Sequence, residues 1–571
     1  MAEIIIMPKL GFNMDEGQLV KWHKALGDSV TKGEVLFEIN TDKTTMPVEA
    51  TAEGVVLDIF LQEGEYADVF TPICVVGAPG EAYELPAGGG ASPDAPAQAE
   101  PAAPASTPQQ APGGGYDYDL AVIGAGPGGY VTAIKAAQMG KKVCIFEDKY
   151  FGGTCLNVGC IPTKTLIKSA SLLHEVQHAA TFALEGIDPA AVKVSMPKLQ
   201  QRKQQVIGQL VGGVGGLLRA NKVEVIQGQA SFVDPHTLAS GERRISAEYI
   251  IVASGSQAII PSFIQIEGQN NILTSTEALA LDHVPSSMVI IGGGVIGIEF
   301  AYLLSRLGSQ VTVLELMDHI LPMVDEEVSG VAQRRMEKDG VTFRLGARVG
   351  RVENNTVYYE YNGQEESIAA DGVLMAVGRA PYTEGLNAQA AGLLLERGAI
   401  PTDPTLCSNI PHIYAIGDVN GRSMLAHTAS HEGLVALKNI YGERTEMDYH
   451  CIPSCIYLDP EIASIGLTEK QAREQYADVR VGKFPLAANG KSLVEGDSDG
   501  IFKVLIDGQY GEVLGAHLYG KHCTDMIAEI ALAMTNELTA EEIIHTIHPH
   551  PTVSEAVAEV FMAAVDRAIH A

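Results

Sequence analysis

Residues 119–129 read DLAVIGAGPGG, and residues 287–297 read SMVIIGGGVIG. In each, an apolar run meets a cluster of glycines and then a helix-forming stretch. The first stretch ends at Met139-Gly140 and the second at Leu307-Gly308. A short continuous apolar run reads as a strand buried on both faces of a parallel sheet. Gly124, Gly126 and Gly129, and their counterparts Gly292, Gly294 and Gly297, let the backbone turn and approach a pyrophosphate at a helix N-terminus. An acidic residue closes the next strand in both copies: Glu147 after Val143-Cys144-Ile145-Phe146, and Glu315 after Val311-Thr312-Val313-Leu314. Such a carboxylate receives a ribose hydroxyl. Two complete fingerprints predict two Rossmann-like dinucleotide-binding domains in an α/β body. After Glu315 comes Leu316-Met317-Asp318, with no arginine to hold a 2′-phosphate, so the second loop predicts NAD rather than NADP.

Between the loops lies GGTCLNVGCIPTK, residues 152–164. Cys155 and Cys160 are separated by four residues, and Pro162 onward reads as the first turn of a helix. A thiolate at a helix N-terminus is favoured by the dipole, which lowers its pKa and raises its reactivity. From spacing alone, two ordinary buried cysteines fit as well.

Working outward, residues 84–115 are almost purely Ala, Pro, Gly, Gln and Ser. With nothing to bury they read as a linker, whose upper reach is on the order of 100 Å at about 3.1 Å per residue. The module before it repeats internally: Gly17 and Gly54, like Gly27 and Gly64, stand 37 positions apart. Val20 falls on Leu57, Trp22 on Ile59, Leu36 on Ile73 and Ile39 on Val76. Alternating apolar and polar residues between glycines predict short antiparallel strands and two quasi-equivalent facing sheets. A polar break at residues 40–46 (NTDKTTM) reads as a hairpin at the midpoint.

The chain has 571 residues, too many for one core, and three to five domains are expected. Its formal charge of −31 argues against nucleic acid or an anionic membrane as partner. No apolar run reaches the roughly 18 residues of a membrane span. Met1 to Ile6 shows no basic region followed by an apolar one, so a signal peptide is not expected. The eight cysteines are scattered, which suggests at most one functional pair. Cys451 and Cys455 flank an extended-looking Ile-Pro-Ser, which sets them about 13 Å apart, beyond disulfide reach. His545, His548 and His550 could suggest a metal, but Pro549 and Pro551 break any helical register and no cysteine lies nearby to complete a zinc set. No metal is expected.

The stretch GGTCLNVGCIPTK resembles the redox disulfide of the flavin disulfide reductases in its dihydrolipoamide dehydrogenase form. The resemblance spans about 116–571, with the motifs in the family's order: first glycine loop, cysteine pair, second glycine loop, Ala415-Ile416-Gly417-Asp418, and His548-Pro549-His550-Pro551-Thr552-Val553-Ser554-Glu555. It implies FAD at the first loop and NAD at the second. It implies a Cys155–Cys160 disulfide, with Cys155 meeting the substrate and Cys160 lying against the flavin. Lys164 is implied beside the flavin ring, paired with Glu299; Asp418 at the ribityl chain; Met424, Leu425, Ala426 and His427 along the flavin; and Gly255 and Gly378 within the dinucleotide sites. His550, oriented by Glu555, is implied as acid and base, supplied by the other subunit of a homodimer. Over residues 1–80, Asp42-Lys43-Thr44 resembles the lysine turn of lipoyl and biotinyl domains. Biotinyl domains typically show Met-Lys-Met there, so the resemblance favours a lipoyl group on Lys43, although Asn40 replaces the commoner Glu.

The expected partition is a small all-β lipoyl sandwich at 1–80, a flexible linker at 81–115, an FAD-binding domain at 116–266 and an NAD-binding domain at 267–384. A central segment at 385–453 completes the FAD site, and an α+β dimerisation domain occupies 454–571. The expected setting is cytoplasmic, with a lipoylated acyltransferase of a 2-oxo acid dehydrogenase complex as partner. Glutathione and mercuric reductases compete within the enzyme class, and a non-catalytic lipoyl carrier competes from outside it. The NAD reading at Glu315 opposes the first. The single N-terminal cysteine, Cys74, and the DRAIHA terminus oppose the second, and the intact Cys155, Cys160, His550 and Glu555 oppose the third.

Overall fold

The computed structural model describes residues 3–7, 16–40, 45–50, 52–68, 71–78, 115–269 and 271–571. It divides into two units, Met1–Ala111 and Pro112–Ala571.

The first unit holds two four-stranded sheets. One orders strands Glu3–Ile6, Pro72–Gly77, Gly54–Ile59 and Ser29–Val30; the other orders Thr45–Glu49, Val35–Asn40, Glu16–Trp22 and Tyr66–Asp68. Leu19, Leu36, Phe37, Ile39, Val56, Ile73 and Val76 form one buried core drawn from both. The 37-residue repeat extends to the irregularities of the pairing. Val20 is the extra residue of a bulge between Leu19 and Lys21, and Leu57 of a bulge between Val56 and Asp58. Leu36 and Ile73 are a second such pair. A bulge shifts the in–out alternation by one residue, which is why Val20 and Lys21 are both exposed after the buried Leu19. Alternation in the sequence alone does not foresee this. Lys43 falls between strands Val35–Asn40 and Thr45–Glu49, which pair antiparallel, and lies outside the described residues.

In the second unit, a parallel sheet orders Glu224–Gln227, Val143–Glu147, Tyr118–Ile123, Arg243–Val252 and Ile413–Ala415. Leu120, Ala121 and Val122 are fully buried, as a strand covered on both faces requires. The late strand Ile413–Ala415 joins this early sheet, and helix Ala426–Tyr441 packs on helix Pro127–Gln138. A second parallel sheet orders Ile272–Leu273, Gly372–Met375, Ser287–Ile291, Gln310–Glu315 and Thr342–Leu345. A third, antiparallel sheet orders Ser454–Ile456, Glu461–Gly466, Val513–Gly520, Ile501–Asp507 and Val479–Pro485. Helices Cys523–Thr535 and Glu555–Val565 share its core through Ile527, Ile530, Val557 and Phe561. The fold is therefore α/β with two parallel sheets, as the glycine loops predict, and an α+β part, as the resemblance implies.

Candidate active site

Each glycine of the two loops has its own steric reason. Gly124 and Gly292 sit at φ +100° and +112°, and a Cβ on either would come 2.4 Å from the carbonyl oxygen of Ala253 or Ala376. Gly129 and Gly297 are where helix meets strand: a Cβ would stand 1.8 Å and 2.0 Å from the carbonyl oxygens of Gly124 and Gly292. The middle glycines differ. Nothing lies within 4 Å of a Cβ at Gly294, and at Gly126 only the Gly153 Cα does, at 3.8 Å. Both face open cavity. One glycine for the turn, one for close approach of phosphate and one for helix–strand contact is the geometry of a dinucleotide loop, so the residues present fit FAD and NAD.

Glu147 and Glu315 end their strands beside these loops. Glu147 accepts the backbone N–H of Ala125 at 2.8 Å, and of Lys149 and Tyr150 at 2.9 Å each. Glu315 accepts from Gly293 N and, at 2.7 Å, Met317 N. Each carboxylate thus ties its loop to the sheet while its side chain still lines the cavity. A carboxylate has about four lone-pair sites, which leaves capacity for a ribose hydroxyl.

One cavity of about 1900 Å³ runs past both loops. Cys155, Cys160, Lys164, Glu299, Gly255, Gly378, Asp418 and the stretch Met424, Leu425, Ala426 and His427 all line it. Gly129 and Gly297 do not, consistent with their packing role, and neither do His550 and Glu555.

Cys155 lies in the short helix Gly153–Val158, and Cys160 opens helix Cys160–Gln177. The pair expected as a disulfide stands here as two free thiols. They are hydrogen-bonded to each other, which drives their acidities apart. Donation to Cys160 raises the Cys155 pKa, and burial adds to that. Acceptance from Cys155, with the Lys164 charge behind it, brings Cys160 down to about 7 against the pull of burial. Cys160 is therefore the thiolate of the pair. One turn along the same helix, Lys164 Nζ holds both carboxylate oxygens of Glu299, at 2.8 and 2.9 Å. Glu299 is buried on helix Val295–Arg306, immediately after the second glycine loop. This ion pair therefore ties the cysteine helix to the second dinucleotide sheet.

Three contributions escape the sequence reading. Ser256 donates its hydroxyl to Asp418, and Arg379 Nε donates to the same Ser256 oxygen at 2.7 Å. The backbone N–H of Tyr457 donates to Glu299 at 3.0 Å. Glu432, fully buried, accepts from Gly417 N, Asn420 Nδ2 (3.0 Å) and Tyr449 Oη (2.6 Å), which fixes the loop that presents Asp418. Only the position of Arg379 next to Gly378 could have drawn attention from sequence. His427 bonds the Pro453 carbonyl at 2.8 Å, and burial holds its pKa below the usual imidazole range.

His550 and Glu555 meet at 2.8 Å between Nδ1 and Oε1, and the backbone N–H of Thr552 donates to the other Glu555 oxygen at 2.9 Å. Burial raises the Glu555 pKa, but those two contacts outweigh it and the carboxyl stays below its usual range. The His550 ring is 79% exposed.

Comparison with known proteins adds three matches. Residues 118–433 fit the pyridine nucleotide-disulphide oxidoreductase family, 452–561 its dimerisation domain, and 3–76 a biotin-requiring enzyme domain of the biotin/lipoyl type. A dihydrolipoyl dehydrogenase of Bacillus subtilis is 41% identical over 458 residues, covering 79% of this chain and all of that one. The mitochondrial dihydrolipoyl dehydrogenase of Caenorhabditis elegans is 41% identical over 462 residues, 78% of this chain and 92% of that one. Among solved structures, the HOCl-induced flavoprotein disulfide reductase RclA from Escherichia coli superposes with a TM-score of 0.69 at 30% identity, over 78% of this chain and 99% of that one.

Proposed function

The chain belongs to the pyridine nucleotide-disulphide oxidoreductase family, among the dihydrolipoyl dehydrogenases, and from that premise we propose how its residues divide the work. It is an FAD- and NAD-dependent oxidoreductase with a lipoyl-type domain at its N-terminus. The observation that carries the assignment of roles is the Cys155–Cys160 pair, with opposed acidities, placed one turn from the Lys164–Glu299 ion pair in the cavity that both glycine loops share.

When bound, FAD would supply the two-electron acceptor for the cysteine pair and NAD the final hydride acceptor. With the pair oxidised, a dihydrolipoyl thiol gives its proton to His550 of the partner subunit and attacks Cys155 Sγ. The 155–160 bond breaks and its electron pair stays on Cys160, held as thiolate by Lys164 and the helix N-terminus. The substrate's second thiol then attacks its own mixed-disulfide sulfur, closing the lipoyl ring and releasing Cys155 as a thiol. Glu555 occupies Nδ1 of the imidazole and leaves Nε2 as the base.

The homodimer rests on the matched dimerisation domain and on what the single chain leaves bare: Ile547, Leu532 and Ile569 are 94%, 64% and 71% exposed. Large apolar side chains left this exposed suit an interface. The ranges 116–266, 267–384, 385–453 and 454–571 are assigned as FAD, NAD, central and interface parts, and Lys43 as the lipoylated residue. The tethered module then carries lipoyl between this active site and an acyltransferase of a 2-oxo acid dehydrogenase complex, at an effective concentration in the millimolar range. A cytoplasmic setting is part of this proposal; among the described residues no helix is long and apolar enough to cross a membrane. The decisive assay is NAD reduction by dihydrolipoamide with the Cys155→Ser protein; retention of wild-type rate would refute the roles given. Intact mass separately tests the arm, since the gain of one lipoyl group must disappear in Lys43→Ala.

A further inference from the structure

Both glycine loops are closed in the same way, with one difference. In the first, Ala125 gives its N–H to Glu147, and its carbonyl accepts the N–H of Gly152 at 2.8 Å. In the second, Gly293 gives its N–H to Glu315, and its carbonyl accepts the N–H of Leu321 at 2.9 Å. Gly152 stands at φ +85° and Leu321 at φ +54°. Glycine adopts that left-handed backbone freely, whereas a leucine there is strained and persists only where its surroundings hold it.

What holds Leu321 comes from another domain. The residue is buried, and a tight turn follows it, with the Val324 N–H donating to its carbonyl at 2.8 Å. Next comes Asp325, which caps helix Glu326–Lys338 and is 3% exposed. Three elements of the matched dimerisation domain converge on it. Its backbone N–H donates to Nδ1 of His517, on strand Val513–Gly520, at 3.1 Å. Its carboxylate accepts from Nζ of Lys503, on strand Ile501–Asp507, at 2.7 Å. The backbone N–H of Glu469, which opens helix Glu469–Gln475, reaches the other oxygen at 3.0 Å. Lys503 is 2% exposed and also pairs with Glu469 at 2.8 Å and Glu327 at 3.0 Å. Burial works against both charges, but these contacts outweigh it: Asp325 is held below the usual carboxylate range and Lys503 above the usual ammonium range.

We infer that Asp325, clamped by Lys503, is a positioning residue for NAD: it holds the segment after Glu315 against the second glycine loop, so that the dimerisation domain sets how tightly NAD binds. The inference rests on NAD binding at that loop. Leu316, Met317, Pro322 and Met323 of this segment line the cavity together with Gly292 and Gly294. Removing the Lys503 ammonium leaves a buried carboxylate uncompensated. Asp325 then turns toward water or takes up a proton, the turn that keeps Leu321 in its strained backbone is released, and the Gly293 carbonyl loses its partner. Cys155 and Cys160 follow the first loop, whose Gly152 needs no such clamp.

Isothermal titration of the oxidised holoenzyme with NAD tests this. Lys503→Met and Asp325→Asn each raise the Kd by at least about threefold, while flavin reduction by dihydrolipoamide in the absence of NAD keeps its rate. Asp325→Asn preserves the shape of the helix cap and keeps the test open if Lys503→Met does not fold. An unchanged Kd with a lowered melting temperature would make the cluster a fastener between domains and nothing more, and overturns the inference. So does an equal loss of flavin reduction, which would mark general damage. Glu315→Ala separates the two readings. If it also keeps the wild-type Kd, NAD does not bind at this loop and the underlying reading fails; if it alone loses affinity, only the role of Asp325 falls.

Discussion

The cysteine pair and the His550–Glu555 pair are the two reactive constellations of this chain, and one is housed where the other is bare. Cys155 and Cys160 lie inside the dinucleotide cavity, half-buried, with Lys164, Glu299 and two glycine loops around them. His550 sits on the opposite end of the sequence with its ring 79% exposed and lines no part of that cavity. Both have partners tuned for proton and electron transfer, so the difference is not one of chemistry. It is one of completeness. On the proposed function, the first is the half-site one chain completes by itself, and the second is the half it lends to a partner subunit.

Substitutions probe the housed half first, because its loss is largest. Cys155→Ser removes the sulfur that meets substrate, and NAD reduction by dihydrolipoamide should fall by about a thousandfold or more with FAD content unchanged. His550→Gln removes the base from the bare half, and the same assay should fall by about a hundredfold to ten-thousandfold while dimer mass is preserved. A His550→Gln protein as active as wild type would show that the exposed pair is a surface ornament of the interface. Glu555→Gln leaves the imidazole but frees its Nδ1, and a smaller loss of about tenfold is expected.

Two further tests sharpen the housed half. Because the Cys160 pKa is lowered to about 7, its thiolate should be present above that pH and be lost as pH falls through it. Lys164→Met withdraws one lowering influence, so the thiolate absorbance of the reduced protein should titrate about one unit higher; an unchanged midpoint would remove Lys164 from the account. The glycines give a stability contrast. Gly297→Ala puts a Cβ 2.0 Å from the Gly292 oxygen and should destabilise by about 2 kcal/mol or more in thermal unfolding. Gly294→Ala has open space, should fold normally, and should raise the KM for NAD.

What the residues themselves showed lies close together along the chain, while the distant pair Lys164–Glu299 was foreseen only through the family resemblance. Glycine loops, the Cys155–Cys160 spacing and the His550–Glu555 spacing each occupy under a dozen residues, and their local geometry is set by their own covalent structure and dihedral limits. What could not be read joins distant residues. Ser256 reaches Asp418, Arg379 reaches Ser256, and Tyr457 N–H reaches Glu299 only after the sheets have assembled. Glu432 is a carboxylate in the middle of a helix, and nothing in its neighbours shows that it will organise Gly417 and Asn420 from below. The bulges at Val20 and Leu57 belong to the same class: the repeat was visible, but Val20 is left over only because Leu19 and Lys21 pair with the consecutive residues Ile39 and Glu38 of another strand.

The central claim, that one chain supplies the sulfurs and its partner the imidazole, has a direct test by complementation. Cys155→Ser and His550→Gln proteins, each inactive alone, are mixed, dissociated and reassociated. Random pairing makes about half of the dimers mixed, and in each of these one site combines intact cysteines with an intact histidine. NAD reduction should therefore recover to about a quarter of the wild-type rate. A mixture that stays as inactive as its parents, although mixed dimers form, would place both constellations in one subunit and contradict the account.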